Sequence, residues 1–506
     1  MADRDLVGQL FMVDFDGFAP SEGIERLVTV GGVGGVILFD KNVQDAEQVA
    51  ALTNALQGVA AAAGCSPLLV GVDQEGGPVV RLRGTHFPSA MAFGAAGSEA
   101  LVAAAAEVTA RELRAVGIHL NFAPVLDVNS NPANPVIGVR SYGEDPALVG
   151  RLGVRAATAM QAGGVLAAGK HFPGHGDTAL DSHLALPAVT HSRARLEAVE
   201  LRPFREAIRA GVAAVMTAHI VYPAVDPERP ATLSPAVIAV LRDDLGFAGL
   251  VVSDSMRMRA IADHLSPGEA AVRAVLAGVD LILACGPAEA QWEALEAVRA
   301  AAAAGRIPAT RIAAAAQRVL AAKQRLRLPE RALVGAADVR FRVGLPEDRL
   351  LADRVARAAA TLVRDHRGLL PLPAGPVAVA AGAAPRSTIE QLAEAIRATG
   401  RTAPIAILDE PDISAWTGPL VVPLGDLPGD RYSPAAVAAI HHRALGPHPT
   451  VAVATGVPYP LGGFPAQAAC LAVYGADPSS LRAAAAVLVG AGSAGGNLPV
   501  TVADHT

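Results

Sequence analysis

The stretch KHFPGHGDTALDSH, Lys170 to His183, places an amine, three imidazoles and two carboxylates within 14 residues. Such groups donate, accept and carry protons near neutrality, which is what general acid–base chemistry needs. The sharpest part is Asp181–Ser182–His183. In an extended segment residues two apart face the same side, so Asp181 would orient the His183 imidazole and favour its protonated form. Two other readings fit the same residues. Histidine and aspartate at short spacing are metal ligands, although there is no HExxH, no cysteine partner, and Lys170 would repel a cation. The third reading is a polar loop with a structural role only.

Three further segments carry reactive or hydrogen-bonding groups. In LVVSDSMRM, Asp254 stands at the end of an apolar run, where a carboxylate is either a nucleophile or a cap for the next helix. In GVDQEGGPVVRL, Asp73 ends another run, Glu75 follows, Gly76 and Gly77 let a backbone approach a ligand closely, and Arg81 comes soon after. Arg140 lies in the Pro- and Gly-rich segment NPVIGVRSYGEDP. Arg81, Arg140 and Lys170 donate while Asp73 accepts. That mixture suits a polyhydroxylated ligand, whose hydroxyls do both. A phosphate or carboxylate ligand fits it equally.

The elements that must position these residues are short apolar runs at 10–15, 35–39, 68–73, 120–127, 165–172, 213–219, 250–254 and 280–285. Each is continuous and apolar, as a strand covered on both faces should be. Ala-rich helical stretches separate most of them, for example 98–115 and 192–210. Eight such units predict a (β/α)₈ TIM barrel, with a doubly wound sheet as the alternative. Polar strand ends favour the barrel: Asp73, Asp127, Lys170 with His171, His219 and Asp254 would meet on its C-terminal rim. The rhythm covers residues 1–325, lapses over a linker at 326–350, and resumes from 351 to 506 as a smaller α/β sandwich. Runs at 376–382, 404–409, 419–426, 450–456 and 469–475 supply its strands. The tail from Ala483 to Ala503 reads as a helix end plus a strand, because its glycines and Pro499 interrupt any membrane span. No Walker or dinucleotide-binding fingerprint occurs, and GGVGG at 31–35 reads as a turn before a strand.

With 52% apolar residues among 506, large cores are attainable, and only 4% are aromatic. The net charge of −6 has mixed signs and no long basic block, so no nucleic-acid partner is expected. Cys65, Cys285 and Cys470 are sparse and odd in number, which points to reduced thiols and a cytoplasmic location. The first residues carry charges and no apolar core, unlike a signal peptide, and no membrane partner is expected.

Taken together, GVDQEGG (71–77), NFAPVLDVNSNPANPVIGVRSYGEDP (121–146), KHFPGHGDTALDSH (170–183) and VVSDSM (251–256) resemble family 3 glycoside hydrolases, specifically their β-N-acetylglucosaminidase branch. The resemblance implies a retaining hydrolase with Asp254 as nucleophile and His183 with Asp181 as acid/base. It implies that Asp73, Arg81, Arg140, Lys170 and His171 hold the terminal sugar, and it puts His219 near the site. It implies N-acetylglucosaminide substrates, met in cell-wall muropeptide recycling or in the scavenging of chitin fragments and glycosides, and nothing in the sequence calls for a metal or an organic cofactor. Two departures stand out. Pro78 takes a place where the family often has Arg, and Ser-Met-Arg-Met follows Asp254 in place of a more usual acidic or apolar continuation. A phosphorylase using phosphate as acceptor, a β-glucosidase of relaxed specificity, a sugar-binding sensor and a metal-dependent hydrolase are the alternatives.

Overall fold

Each of the eight apolar runs forms a strand, and each pairs in parallel with its neighbours. The computed structural model describes residues 3–503 apart from 183, 383, 401–404, 409, 414 and 426–433. The strands are β1 (Phe11–Val13), β2 (Gly35–Leu38), β3 (Leu69–Val72), β4 (Leu120–Asn121), β5 (Leu166–Phe172), β6 (Ala214–Thr217), β7 (Leu250–Val252) and β8 (Ile282–Ala284). They follow one another around a barrel, with β8 beside β1. A parallel bridge between Val252 and Leu281 joins the remaining edges. The doubly wound alternative is thereby excluded.

Burial on both faces explains the unbroken apolar runs, and the period of two sorts them. Met12, Ile37, Leu69, Leu120, Leu166, Met216, Leu250 and Leu283 pack in one cluster with Phe122, Val319 and Leu328. Their neighbours along the strands, such as Val36, Leu38 and Val70, pack in another cluster with the surrounding helices. Gly71 is required on the first side. A Cβ there would come within 2.9 Å of the Phe122 ring.

Several helices begin where a serine can cap them. The Ser98 side chain accepts the Leu101 N–H ahead of Glu99–Ala115, and Ser192 accepts the Arg195 N–H ahead of Arg193–Ala198. The helical stretch predicted at 192–210 is two helices, because a second one starts at Leu201. The strand predicted at 120–127 keeps its ladder only to Asn121. Pro124 has no N–H to donate, and beyond it Val125 makes a single bridge to Lys170.

The last barrel helix ends at Arg325, and a helical turn and a 3₁₀ segment precede the helix Pro346–Ala359. A six-stranded sheet follows: β9 (Thr361–Arg364), β10 (Val377–Ala380), β11 (Ile405–Leu408), β12 (Leu420–Leu424), β13 (Thr450–Ala454) and β14 (Ala469–Ala472). Its order is β9-β14-β13-β12-β10-β11, with β9 antiparallel to β14 and the rest parallel. The predicted C-terminal strand does not form. The helix Pro478–Val489 ends at Gly490 in the left-handed region (φ 78°), and Gly495 makes one bridge to Thr361. Among the described residues no helix is long and apolar enough to cross a membrane.

At the end of the barrel away from the polar rim, Lys323 is 1% exposed, with its Nζ 2.6 Å from Gln9 Oε1 and 3.5 Å from Ser66 Oγ. Burial pushes this amine down to about 7, and the nearby Cys65 opposes the shift. A folded-state pKa below the unfolded value means that the unfolded chain binds the extra proton between the two. The lysine therefore costs stability, fully below pH 7 and vanishingly above the unfolded value near 10.5. Lys323→Met should gain on the unaltered protein by roughly 1.4 kcal/mol for each pH unit lowered through that window. Urea unfolding at pH 6 and pH 10 measures it, and an equal difference at both would refute it.

Candidate active site

The polar strand ends converge as the barrel predicts. Lys170, on β5, is 2% exposed and reaches across to β3, where its Nζ lies 2.7 Å from Asp73 Oδ1 and 2.5 Å from Glu75 Oε1. Arg140 grips the same Glu75 with two bonds, Nε to Oε2 and Nη2 to Oε1, both 2.8 Å. Two cations thus face two carboxylates. Burial alone would neutralise Glu75, but Arg140 and Lys170 hold it far below the usual carboxylate range. Burial likewise works against the Lys170 charge, and Asp73 and Glu75 raise it above the usual amine value. Asp73 and Arg140 remain partly exposed (19% and 15%), whereas Lys170 and Glu75 are buried.

Asp127, one of the polar strand ends, is fully buried and organises the next layer. Its Oδ2 lies 2.7 Å from His171 Nδ1, and its Oδ1 accepts the backbone N–H groups of His171 (3.0 Å) and His175 (2.7 Å). Burial opposes its charge, but His171 and His175 keep it ionised. His171 is thereby fixed in direction, with its Nε2 edge away from Asp127.

Asp254 stands two residues beyond β7 and is half-buried. Its Oδ1 accepts the Ser255 N–H at 2.7 Å. Desolvation favours the neutral acid, yet His171, His219, that N–H and Lys170 together hold its pKa below the usual value. An ionised carboxylate with little solvent around it is what a nucleophile requires. His219 contributes mainly by support. Its Nε2 faces the Ser255 carbonyl at 2.9 Å and its Nδ1 faces Thr232 Oγ1 at 2.8 Å, which pins the loop that carries Asp254.

Other predicted residues are placed less centrally. Arg81 pairs with Asp40 beyond β2, 3.1 Å away. The acid/base segment departs from its expected form. It is a turn, not an extended strand, because the Asp181 carbonyl accepts the N–H groups of both Leu184 (2.9 Å) and Ala185 (3.0 Å). The same-side argument for Asp181 and His183 does not apply to a turn, and His183 lies outside the described residues. Among the described residues no group of three or more His, Cys, Asp or Glu is arranged to hold a metal ion. Glu75 and Asp127 are the two organising residues to which the sequence attached no role. Asp127 at a strand end and Glu75 two residues after Asp73 were visible, but their partners come from other strands.

Segments that follow the strands of the second sheet reach the loop that carries Asp127 and Arg140 and the start of the helix Ala90–Ala96. Asn129 Nδ2 donates to the Tyr459 hydroxyl at 2.7 Å, the Glu144 N–H donates to the Pro499 carbonyl at 3.0 Å, and Ser89 Oγ donates to the Tyr474 carbonyl at 2.7 Å. Tyr459→Phe should lower kcat/KM about two- to tenfold and stability by about 1 kcal/mol. Steady-state kinetics with urea unfolding checks this, and unchanged kinetics would show that the second domain is only a neighbour.

Comparison with known proteins agrees with this architecture. The family model described as "Glycosyl hydrolase family 3 N terminal domain" matches residues 3–322. Beta-hexosaminidase A of Pseudoalteromonas piscicida is 42% identical over 280 residues, 51% of this chain and 47% of that protein, so the chain spans about half the length of that relative. Beta-hexosaminidase of Thiobacillus denitrificans is 39% identical over 293 residues, 56% of this chain and 80% of that protein. Among solved structures, a glycoside hydrolase family 3 β-N-acetylglucosaminidase from a Paenibacillus species superposes with a TM-score of 0.91 at 39% identity, covering all of both chains. From its barrel and from these matches, the chain belongs to glycosyl hydrolase family 3.

Proposed function

We propose that this protein is a retaining β-N-acetylglucosaminidase that removes terminal β-linked N-acetylglucosamine through a covalent glycosyl-enzyme. The observation that carries the reading is Asp254, ionised and half-buried on the C-terminal rim of the barrel beside the Lys170–Asp73–Glu75–Arg140 group and His171. The full-length likeness to a β-N-acetylglucosaminidase supports the choice of sugar.

In this reading Asp254 attacks the anomeric carbon while the Asp181–His183 pair protonates the departing oxygen. The pair then takes a proton from water, whose attack releases the β-sugar and frees Asp254. Asp73, Lys170, His171, Arg140 and Arg81 hold the hydroxyls and the acetamido group. Lys170 and Arg140 stay charged because Glu75 balances them, so the donors are preorganised before the sugar arrives. His219 keeps the Asp254 loop in place. Muropeptides released in cell-wall recycling inside the cytoplasm are the physiological substrates to test first.

The test is turnover of 4-nitrophenyl N-acetyl-β-glucosaminide and of the corresponding glucoside, with and without phosphate, followed by NMR. First-formed β-N-acetylglucosamine, indifferent to phosphate and made much faster than glucose, is the expected result. A sugar 1-phosphate whose formation depends on added phosphate would make the protein a phosphorylase. Preference for the glucoside would make it a β-glucosidase.

A further inference from the structure

Ser182, between Asp181 and His183, is 1% exposed, while Leu180 and Leu184 on either side are 54% and 62% exposed. The Ser182 side chain is turned inward, and it is held from two directions. Its hydroxyl lies 2.9 Å from His175 Nε2, and its carbonyl accepts the Ala260 N–H at 3.4 Å. Ala260 belongs to the short helix Arg259–Ala262 that follows the Asp254 loop.

His175 is itself fully engaged. Its Nδ1 lies 3.0 Å from Thr178 Oγ1, and Asn134 Nδ2 donates both to the His175 carbonyl (2.9 Å) and to Thr178 Oγ1 (3.2 Å). Its backbone N–H donates to Asp127 Oδ1, the oxygen that also takes the His171 N–H. Burial and the neighbouring His171 push the His175 ring down to about 4, so it is neutral in ordinary buffers. A neutral imidazole donates through one nitrogen and accepts through the other, which suits a ring placed between two hydroxyls. One continuous set of bonds therefore runs from His171, through Asp127 and His175, to Ser182.

We infer that His175 and Ser182 are positioning residues that latch the turn carrying Asp181 against the barrel, and that Asp127 makes this latch common to the turn and to the sugar-facing His171. The inference rests on the proposed acid/base role of that turn. Neither residue touches the reacting atoms. They act through the placement of the proton donor, so losing them should matter in proportion to how much the leaving group needs a proton.

That dependence separates a latch from a general structural part. Ser182→Ala and His175→Asn would be compared with the unaltered protein and with Asp181→Ala. The substrates are phenyl and 2,4-dinitrophenyl N-acetyl-β-glucosaminides, with and without sodium azide, and thermal unfolding reports whether each variant is folded. The expected result for both latch variants is a fall in kcat/KM of about 10- to 100-fold on the phenyl glycoside and within about threefold on the dinitrophenyl glycoside. Azide should raise their kcat on the dinitrophenyl substrate. Azide attacks the anomeric carbon of the glycosyl-enzyme, the bond to Asp254 breaks with its electrons returning to the carboxylate, and a β-glycosyl azide forms without general-base help. Equal falls on both substrates with no azide product, or no fall at all, would overturn the latch. If Asp181→Ala shows the leaving-group dependence and the latch variants do not, the latch alone fails. If Asp181→Ala lacks it, or the unaltered protein turns over neither glycoside, the acid/base reading fails and the latch falls with it.

Discussion

Asp254→Ala is expected to lower kcat for aryl N-acetyl-β-glucosaminides by about 10⁴-fold or more, with the fold intact. In the proposed mechanism no other carboxylate among the described residues is free to replace Asp254. Asp73 is committed to Lys170, and Asp127 is enclosed by His171 and His175. Adding azide or formate to Asp254→Ala should return part of the activity, because a small anion can occupy the vacated space and attack the sugar from the same face. The azide product would then be the α-glycosyl azide, opposite to the anomer expected from the latch variants. The charge also has a stability consequence. The folded-state pKa of Asp254 is depressed, so its contribution is present above the unfolded value of 3.8 and is lost as the pH falls through the folded value. Asp254→Ala should therefore be slightly less stable than the unaltered protein at pH 7, by a margin that narrows in acid. Residual activity near the unaltered level would remove Asp254 from the mechanism.

Glu75→Gln should produce the largest loss of stability among the site residues, about 3–5 kcal/mol at pH 7. The glutamate is 6% exposed and is the one group shared by Lys170 and Arg140. Glutamine keeps the shape but leaves two buried cations facing one carboxylate, Asp73. The repulsion is relieved by moving one of them, so KM should rise as well. The sign with pH follows from the direction of the shift. Glu75 is depressed, so the stabilisation is complete above the unfolded value of 4.5 and fades as acid protonates the folded form. The difference between the two proteins should be full at pH 7 and shrink in strong acid. Urea unfolding at several pH values measures this, and a pH-independent difference would refute the charge-balance account. Comparing Glu75→Gln with Glu75→Ala separates lost charge from lost packing.

The barrel was legible because its signal is local. A parallel strand buried on both faces must be continuously apolar, and eight such runs separated by helical stretches leave few architectures open. Five strands of the second sheet were legible for the same reason. The one overlooked, β9, is an edge strand of four residues with Leu362 41% exposed, and it pairs antiparallel with a segment more than a hundred residues away. A short edge strand lacks the buried pattern that marks its neighbours. The mistaken C-terminal strand shows the converse. Its apolar residues looked extended, but Gly490, Gly492, Gly495, Gly496 and Pro499 deny it a ladder, and only the Gly495–Thr361 bridge forms.

The chemistry divides along the same line. Residue type and position at strand ends, which are local, were enough to nominate Asp73, Lys170, His171, His219 and Asp254, and the barrel brings those strand ends to one rim. What each group does electrically depends on partners that lie far away in the chain. Glu75 meets Lys170 across 95 positions and Arg140 across 65, and Asp127 meets His175 across 48. Through-space charge and desolvation set whether Asp254 is ionised and whether His175 is neutral, and neither quantity is encoded in neighbouring residues. The sequence by itself determined the barrel and the acids and bases on its rim. Only the closing of the barrel decided which of them are paired, which are neutral and which carboxylate is left to react, because those properties arise from distances between strands.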